Sequence, residues 1–382
     1  MTESLIDRVR ERLAAESVPL RPNAVAAAIR AESSGVLGDA EVLGNLRILE
    51  TELTGMGILE PLLAAPGTTD VLVTAPDQVW VDDGNGLRRS DVRFDDEAAV
   101  RRLAQRLANA AGRRLDDAQP WVDGQLARSG GYAVRMHAVL PPIAPAGTCL
   151  SLRVLRPATD DLAALVARGA IAPQAHALLN AVISARLAFL VSGGTGAGKT
   201  TLLAAALGAV AGSERIVCIE DAPELAPRHP HLVRLVARGA NVEGAGEVTL
   251  RQLVRQALRM RPDRIVVGEV RGAEVVDLLA ALNTGHDGGA GTVHANSPAE
   301  VPARLEALGA LGGLDRAALH SQLASAIRVV LHVRRDDDGR RLTEIALLVR
   351  DGSGLVTAQP VWDEHRGLVE GADVFARLTA SK

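Results

Sequence analysis

Gly193-Gly-Thr-Gly-Ala-Gly-Lys-Thr200 fits G-x-x-x-x-G-K-[ST], with an apolar run, Leu187 to Val191, before it and a helix-like pattern, Leu202 to Ala206, after it. Small residues free backbone N–H groups to cradle phosphates, and the start of a helix adds positive potential. Lys199 can then reach β and γ oxygens, and the Thr200 hydroxyl can ligate magnesium. The chemistry is nucleotide-phosphate binding, by Gly193, Gly194, Thr195, Gly196, Ala197, Gly198, Lys199, Thr200 and Thr201. Lysine usage points the same way, because Lys199 and Lys382 are the only lysines in a chain that otherwise uses arginine. A compact ammonium fits inside a phosphate-wrapping loop where a planar guanidinium fits poorly.

Three other polar clusters follow apolar, strand-like runs. Ile219 leads into Glu220-Asp221-Ala-Pro-Glu224, Val267 into Gly268-Glu269-Val-Arg271, and Val293 into His294-Ala-Asn296-Ser297. Taken singly, such a residue is as readily a helix cap or a solvated loop group. Together with the loop they describe a site, since ligands of open α/β sheets lie beyond the carboxyl ends of the strands. Hydrolysis of a γ-phosphate needs magnesium, a group that orients or deprotonates water and one that registers the γ-phosphate. Glu269 suits the water, Glu220 and Asp221 suit the magnesium shell with Thr200, and His294 suits the γ-phosphate, although a lone histidine after a strand is often structural.

The elements that must carry these residues divide the chain into three stretches. Residues 1–62 read as helical, with Leu5, Val9 and Leu13 four apart and a second stripe at Val42, Leu43, Leu46 and Leu49. Residues 63–157 read as a smaller α+β domain. Asp70 to Thr74 and Gln78 to Asp82 are strands, Asp83-Gly-Asn-Gly86 is a hairpin turn, and Asp91 to Phe94 is the return strand. A helix bearing Val100, Leu103 and Leu107 follows, then strands at Tyr132 to Leu140 and Thr148 to Leu155, with Trp80, Trp121 and Tyr132 expected in the core. From 158 to 382 helix and strand alternate, as a parallel sheet requires. Thr249-Leu-Arg-Gln252 has the form of a capping box, Pro262 ends its helix, and Val329 to Val333 and Leu342 to Leu348 flank a hairpin at Asp336-Asp-Asp-Gly339. The remainder of the C-terminus carries no clear pattern.

Bulk properties narrow the function. The net charge is −4 over 382 residues, so there is no overall basic field of the kind nucleic-acid binders use. Arg251, Arg255 and Arg259 do form a stripe, read as a solvated face or subunit contact against a nucleic-acid surface. The two cysteines, Cys149 and Cys218, sit in strand-like runs and read as reduced core residues; there is no C-x-x-C to hold zinc. No segment has the apolar length to span a bilayer, and the expected location is cytoplasmic.

The motifs together resemble the four signature boxes of the type II/IV secretion ATPase superfamily. They are Ser192 to Thr200 (Walker A), Ile219-Glu-Asp221 (Asp box), Leu258 to Arg271 (a glutamate-bearing Walker B) and Thr284 to Gly288 with Gly291 to Ser297 (His box). Thr69 to Thr74, Gly112-Arg-Arg114, Arg135 to Pro142 and Ser151-Leu-Arg153 extend the likeness, which spans about Thr69 to Leu348. Within the superfamily the chain is most similar to the tight-adherence (Flp) pilus assembly ATPases of the TadA or CpaF type, and similar to conjugative traffic ATPases. Thr74, Gly289-Ala290 and Arg128-Ser-Gly-Gly131 depart from the usual pattern.

The resemblance implies a RecA-like P-loop domain with a smaller, PAS-like α+β domain before it. It implies ATP and Mg2+ as ligands, Lys199, Thr200, Glu220, Asp221, Glu269, His286 and His294 in the site, and Arg135 and Arg153 as arginines that reach nucleotide phosphates, with Arg113 and Arg114 less directly indicated. It also implies a homo-hexamer at the inner face of the plasma membrane, working on inner-membrane pilus or secretion platform proteins. Of three readings, a nucleic-acid translocase on the same core and a nucleotide-gated binding module with negligible turnover are set behind the first, an ATPase motor that powers Flp/Tad pilus assembly or type II/IV-like protein secretion.

Overall fold

The computed structural model describes residues 55–128, 132–241, 244–336 and 339–380, with a few positions before them (12, 27–28 and 31–32). The expected helical stretch 1–62 otherwise lies outside the described residues, as do 129–131 of the Arg128 loop and 337–338 of the late hairpin. The chain forms two compact units, 1–155 and 156–382.

In the first unit, after a helix α1 (Glu60–Ala64), come β1 (Asp70–Ala75), β2 (Gln78–Asp82), β3 (Leu87–Arg89), α2 (Glu97–Ala110), β4 (Trp121–Ala127), β5 (Ala133–Val139) and β6 (Cys149–Leu155). They make one antiparallel sheet in the order β3-β2-β1-β6-β5-β4. Asp96 caps α2 by accepting the Ala99 N–H at 2.7 Å, and Val100, Leu103 and Leu107 bury its apolar stripe. One sheet face shares that core through Val71, Val134, Met136 and Leu152.

Three expectations for this unit need correction. The return strand is Leu87–Arg89, because Gly84 and Gly86 at φ 95° and 108° close the turn so tightly that Asp82 pairs with Leu87 at once. Phe94 instead hydrogen-bonds the Pro76 carbonyl through its own N–H. Trp121 is 51% exposed, since it opens β4 on the face opposite buried Val122; Trp80 and Tyr132 are half-buried. Cys149 is half-buried while Cys218 is fully so, and both are free thiols.

The second unit runs α3 (Leu162–Ala167), α4 (Pro173–Ser184), β7 (Phe189–Ser192), α5 (Lys199–Gly208), β8 (Ile216–Glu220), β9 (Leu232–Val236), α6 (Leu250–Ala257), β10 (Arg264–Val267), α7 (Glu274–Leu282), β11 (Ala290–Val293), α8 (Val301–Leu311), α9 (Arg316–Ala326), β12 (Val329–Asp336), β13 (Gly339–Arg350), β14 (Val356–Asp363), β15 (Gly367–Leu368) and α10 (Ala372–Ala380). Its sheet has the order β15-β14-β13-β12-β7-β11-β10-β8-β9. From β12 to β9 neighbours are parallel, and from β12 to β15 they are antiparallel.

Strands β7, β8, β10 and β11 are buried at every residue. This explains their unbroken apolar runs: both faces are covered, and each Val, Ile or Leu so buried contributes roughly 1.5–3 kcal/mol. Helices α4, α5 and α10 pack on one face and α6 to α9 on the other. The C-terminal stretch, patternless in sequence, supplies β14, β15 and α10, and β9 is likewise unannounced because its side chains are only partly buried. The Thr249–Gln252 capping box forms as expected. Arg251 and Arg255 place their Nε atoms 2.6 and 2.8 Å from the Asp277 carboxylate, so two of the three stripe arginines clip α6 to α7.

Arg264 opens β10 at 1% exposure. Its guanidinium donates twice to Glu214, at 2.8 and 3.1 Å, and at 2.9 Å to the Ile183 carbonyl. Removing one partner of a buried pair leaves an uncompensated charge. Glu214→Ala is therefore expected to lower the stability of the chain by about 3 kcal/mol, read as a shifted urea midpoint; a loss below about 1 kcal/mol would show the pair to be dispensable.

Candidate functional site

Buried strand β7 delivers the chain into the loop at Gly193 and α5 takes it away at Lys199. A Cβ on Gly193 would stand 2.3 Å from the Val333 carbonyl oxygen, and its φ of 152° is one that L side chains rarely adopt. Gly198, at φ 97°, caps α5 from the left-handed region. Gly193 is thus required by close approach and Gly198 by backbone sign.

Lys199 is buried, and its Nζ donates to the Gly193 and Gly194 carbonyls at 3.0 and 2.7 Å. The same nitrogen lies 3.4 Å from His294 Nδ1, and His294 Nε2 lies 3.3 Å from Glu269 Oε1. A neutral imidazole with its proton on Nε2 satisfies both contacts, accepting from the ammonium and donating to the carboxylate. Burial, and then the charge of Lys199, hold His294 below its usual value against the pull of Glu269. Burial also lowers Lys199, opposed by Glu269 and Glu224.

Topology explains the convergence. Strand β11 lies between β7 and β10, so the residues after Val293 and Val267 emerge beside the phosphate loop. The turn that carries Glu269 is held by Thr292, whose hydroxyl donates to the Gly268 carbonyl at 2.7 Å, and by Glu274, which accepts the Arg271 and Gly272 N–H groups, both at 2.7 Å.

Glu220 ends β8 at 3% exposure. Its Oε1 accepts the Glu224 and Leu225 N–H groups at 3.0 and 2.8 Å, while Oε2 is buried with no hydrogen-bond partner among the described residues. Burial pushes its carboxyl up to about 7, against those two N–H groups. A Cβ at residue 268 would come 2.9 Å from Glu220 Cγ, so Gly268 is what lets this side chain lie flat. An orphaned carboxylate oxygen with the Thr200 hydroxyl is a hard-oxygen donor set that suits magnesium. Asp221 is already paired with Arg271.

The other sequence-derived candidates are one histidine of this unit and the arginines of the first unit. His286 precedes β11 instead of following it, bonded through Nδ1 to the Ala281 carbonyl at 3.1 Å; it belongs to the end of the sheet opposite the loop, where Gly288 and Gly289 make room for Arg264 and the Ile265 carbonyl. Arg135 and Arg153 are cross-strand neighbours on the exposed face of the first unit's sheet. Arg153 meets Asp70 at 3.1 Å and Arg135 stands 3.9 Å from Asp123. Arg114 pairs with Asp116.

Sequence reading missed two concavities that flank the loop. One, of about 310 Å³, is lined by Leu165, Ile171, Gly198, Thr201, Leu202 and Arg340 among others. The second, of about 590 Å³, opens past Gly193 and Gly194 to His294, Asn296, Glu300 and Arg304. No local signal joins residues so far apart in the chain.

The profile of the family described as type II/IV secretion system protein matches residues 52–345. The chain belongs to this family. As a member of the type II/IV secretion system family it is an ATP-binding, ATP-hydrolysing enzyme. A putative conjugal transfer protein of Mycobacterium tuberculosis is 76% identical over 350 residues, covering 91% of this chain and 99% of that relative. The type IV secretion system protein PtlH of Bordetella pertussis is 32% identical over 326 residues, covering 77% of this chain and 94% of PtlH. The fold is shared with the ATPase DotB of Legionella pneumophila, at TM-score 0.54 and 20% identity over 85% of this chain and 84% of that one. It is shared also with the pilus retraction motor PilT with bound ADP, at 0.52 and 21% over 75% and 80%. Among the described residues no helix is long and apolar enough to cross a membrane.

The Glu220 carboxyl carries a pH signature. Because its folded value lies above the usual 4.5, at about 7, the folded state holds the proton longer, and this group's contribution to stability is lost as pH rises through that window. Glu220→Gln removes the loss. Its stability relative to the parent chain should climb by up to about 3 kcal/mol between pH 4.5 and pH 7.5, measured by urea unfolding at several pH values; a difference flat across that range would refute the assignment.

Proposed function

We propose that this chain is the ATP-driven motor of a pilus-assembly or protein-secretion apparatus of the tight-adherence (Flp) type. The observation that carries the reading is the Lys199–His294–Glu269 series at the mouth of the phosphate loop. Lys199 takes the β and γ oxygens, Glu269 orients the attacking water and accepts its proton, and His294 links the two, so that the presence of a γ-phosphate at Lys199 is felt at Glu269. Thr200 and Glu220 are the residues to hold magnesium, with Asp221 beside them engaged by Arg271. The ion, when bound, offsets charge on the phosphate oxygens. The nucleoside is assigned to the cavity beside Gly198 and Thr201, whose volume of about 310 Å³ and mixed lining, apolar at Leu165, Ile171 and Leu202 and cationic at Arg340, are those of a small-ligand pocket.

Arg135 and Arg153 stay in this reading as the cations directed at nucleotide phosphates. The working form is a homo-hexamer in the cytoplasm at the inner face of the plasma membrane, acting on platform proteins there. Relatives named for conjugal transfer and type IV secretion favour a second reading, in which the same motor serves a conjugative type of secretion system. Co-purification of a Glu269→Gln chain from membranes with ATP separates the two by the proteins it retains. A nucleic-acid translocase would instead show hydrolysis strongly stimulated by DNA and sharply lost with added salt.

Lys199→Ala is expected to abolish ATP binding, and Glu269→Gln to keep binding while steady-state phosphate release falls by at least about a hundredfold. Hydrolysis surviving in either variant would remove the site from this loop. For the nucleoside cavity, half-buried Ala170, which lines it, is the residue to enlarge: Ala170→Trp should weaken ATP binding about tenfold or more and leave inorganic tripolyphosphate binding unchanged. Equal affinity of parent and variant for ATP would put the nucleoside elsewhere.

A further inference from the structure

Beneath the groups that face the loop lies a buried polar pair. Ser192 ends β7 and His332 stands opposite it in the parallel register of β12. The two are 0% and 4% exposed, and the Ser192 Oγ to His332 Nδ1 distance is 2.9 Å. A neutral ring accepts the Ser192 hydroxyl proton at Nδ1. Burial, and then the charge of Arg334, keep His332 below its usual value and therefore neutral.

Ser192 is the root of the phosphate loop. It immediately precedes Gly193, whose carbonyl receives Lys199 Nζ at 3.0 Å. The His294 loop is fixed separately, by Glu300 accepting the Asn296 backbone N–H and side-chain amide at 3.1 and 3.0 Å. The sheet is adapted at the same point. The β12–β13 register shifts between His332 and Val333, and the Thr343 hydroxyl donates to the His332 carbonyl at 3.3 Å. Irregular pairing of this kind re-aims a side chain that regular pairing would leave in line.

We propose that His332 is a positioning residue for hydrolysis: through Ser192 it fixes the root of the phosphate loop on β12 and so sets where Lys199 stands against His294, 3.4 Å away. His332 lines neither of the two cavities beside the loop. Its effect is on how well the reacting groups are registered, which an error of about 1 Å can cost a hundredfold in rate. A residue that merely filled the core would instead act on stability and on binding together.

The inference rests on hydrolysis being carried out by Lys199, His294 and Glu269. It is tested in the full chain with Ser192→Ala, His332→Ala, His332→Gln and the Ser192→Ala/His332→Ala double variant. Steady-state phosphate release gives kcat, and binding of a non-hydrolysable ATP analogue is measured separately. Expected are a ten- to hundredfold fall in kcat for each alanine variant with analogue affinity within about twofold, and a double variant no worse than His332→Ala alone. Glutamine, which can both accept and donate, should recover most of the lost rate. Unchanged kcat, or analogue binding lost in step with kcat, or glutamine no better than alanine, overturns the proposal. Should His332→Ala fail to fold, Ser192→Ala decides by the same split between kcat and binding, since it removes only a hydroxyl. Undiminished hydrolysis in Lys199→Ala would indict the site assignment and not His332.

Discussion

An ammonium group in a crevice that water reaches poorly has few ways to be satisfied, and the second unit is arranged around those that Lys199 uses. Two carbonyls of its own loop and the acceptor nitrogen of His294 surround it, while burial lowers its proton affinity. This makes the cation available to phosphate oxygens, because its present partners are neutral dipoles that an anion outcompetes. It also couples it to His294 and through that ring to Glu269. Binding and hydrolysis thus share one short chain of polar contacts.

That chain is held by apolar matter. Each of its members follows a strand buried on both faces, and α5 covers the loop's strand from one side while α7 and α8 pack from the other. Because the backbone of a central parallel strand cannot shift without breaking ladders on two sides, the strand ends are rigid mounts for short side chains. Glu220 shows the cost of such a mount. It is inserted far enough to orphan one oxygen and to raise its proton affinity, a local penalty kept where a cation is expected to bind.

The first unit follows a different logic. One face of its antiparallel sheet is closed by α2, and the other carries Trp121 together with Arg135, Arg153 and His137, which meet acids on neighbouring strands. Exposed ion pairs of this sort add little stability, so the face is free to be charged without loss to the fold. The same exposure is why Trp121 misled the sequence reading: in a strand, position parity and not hydrophobicity decides which way a side chain points.

The phosphate loop, its helix and the strand before it were legible in the chain, because their chemistry depends on neighbours a few residues away and on glycines whose backbone angles no other residue adopts readily. The apolar runs of β8, β10 and β11 were legible for a related reason, since strands buried on both faces must be apolar throughout. That these strand ends serve one site was expected from the parallel pattern; which residues touch Lys199 was not legible. Strand order is a property of the sheet, and only the insertion of β11 between β7 and β10 brings His294 and Glu269 to Lys199 while leaving His286, eight residues earlier, at the far end. The same holds for Ser192 and His332, separated by 140 positions and joined by one hydrogen bond. Local sequence sets what each segment can do; the hydrogen-bonded order of the strands decides which segments do it together.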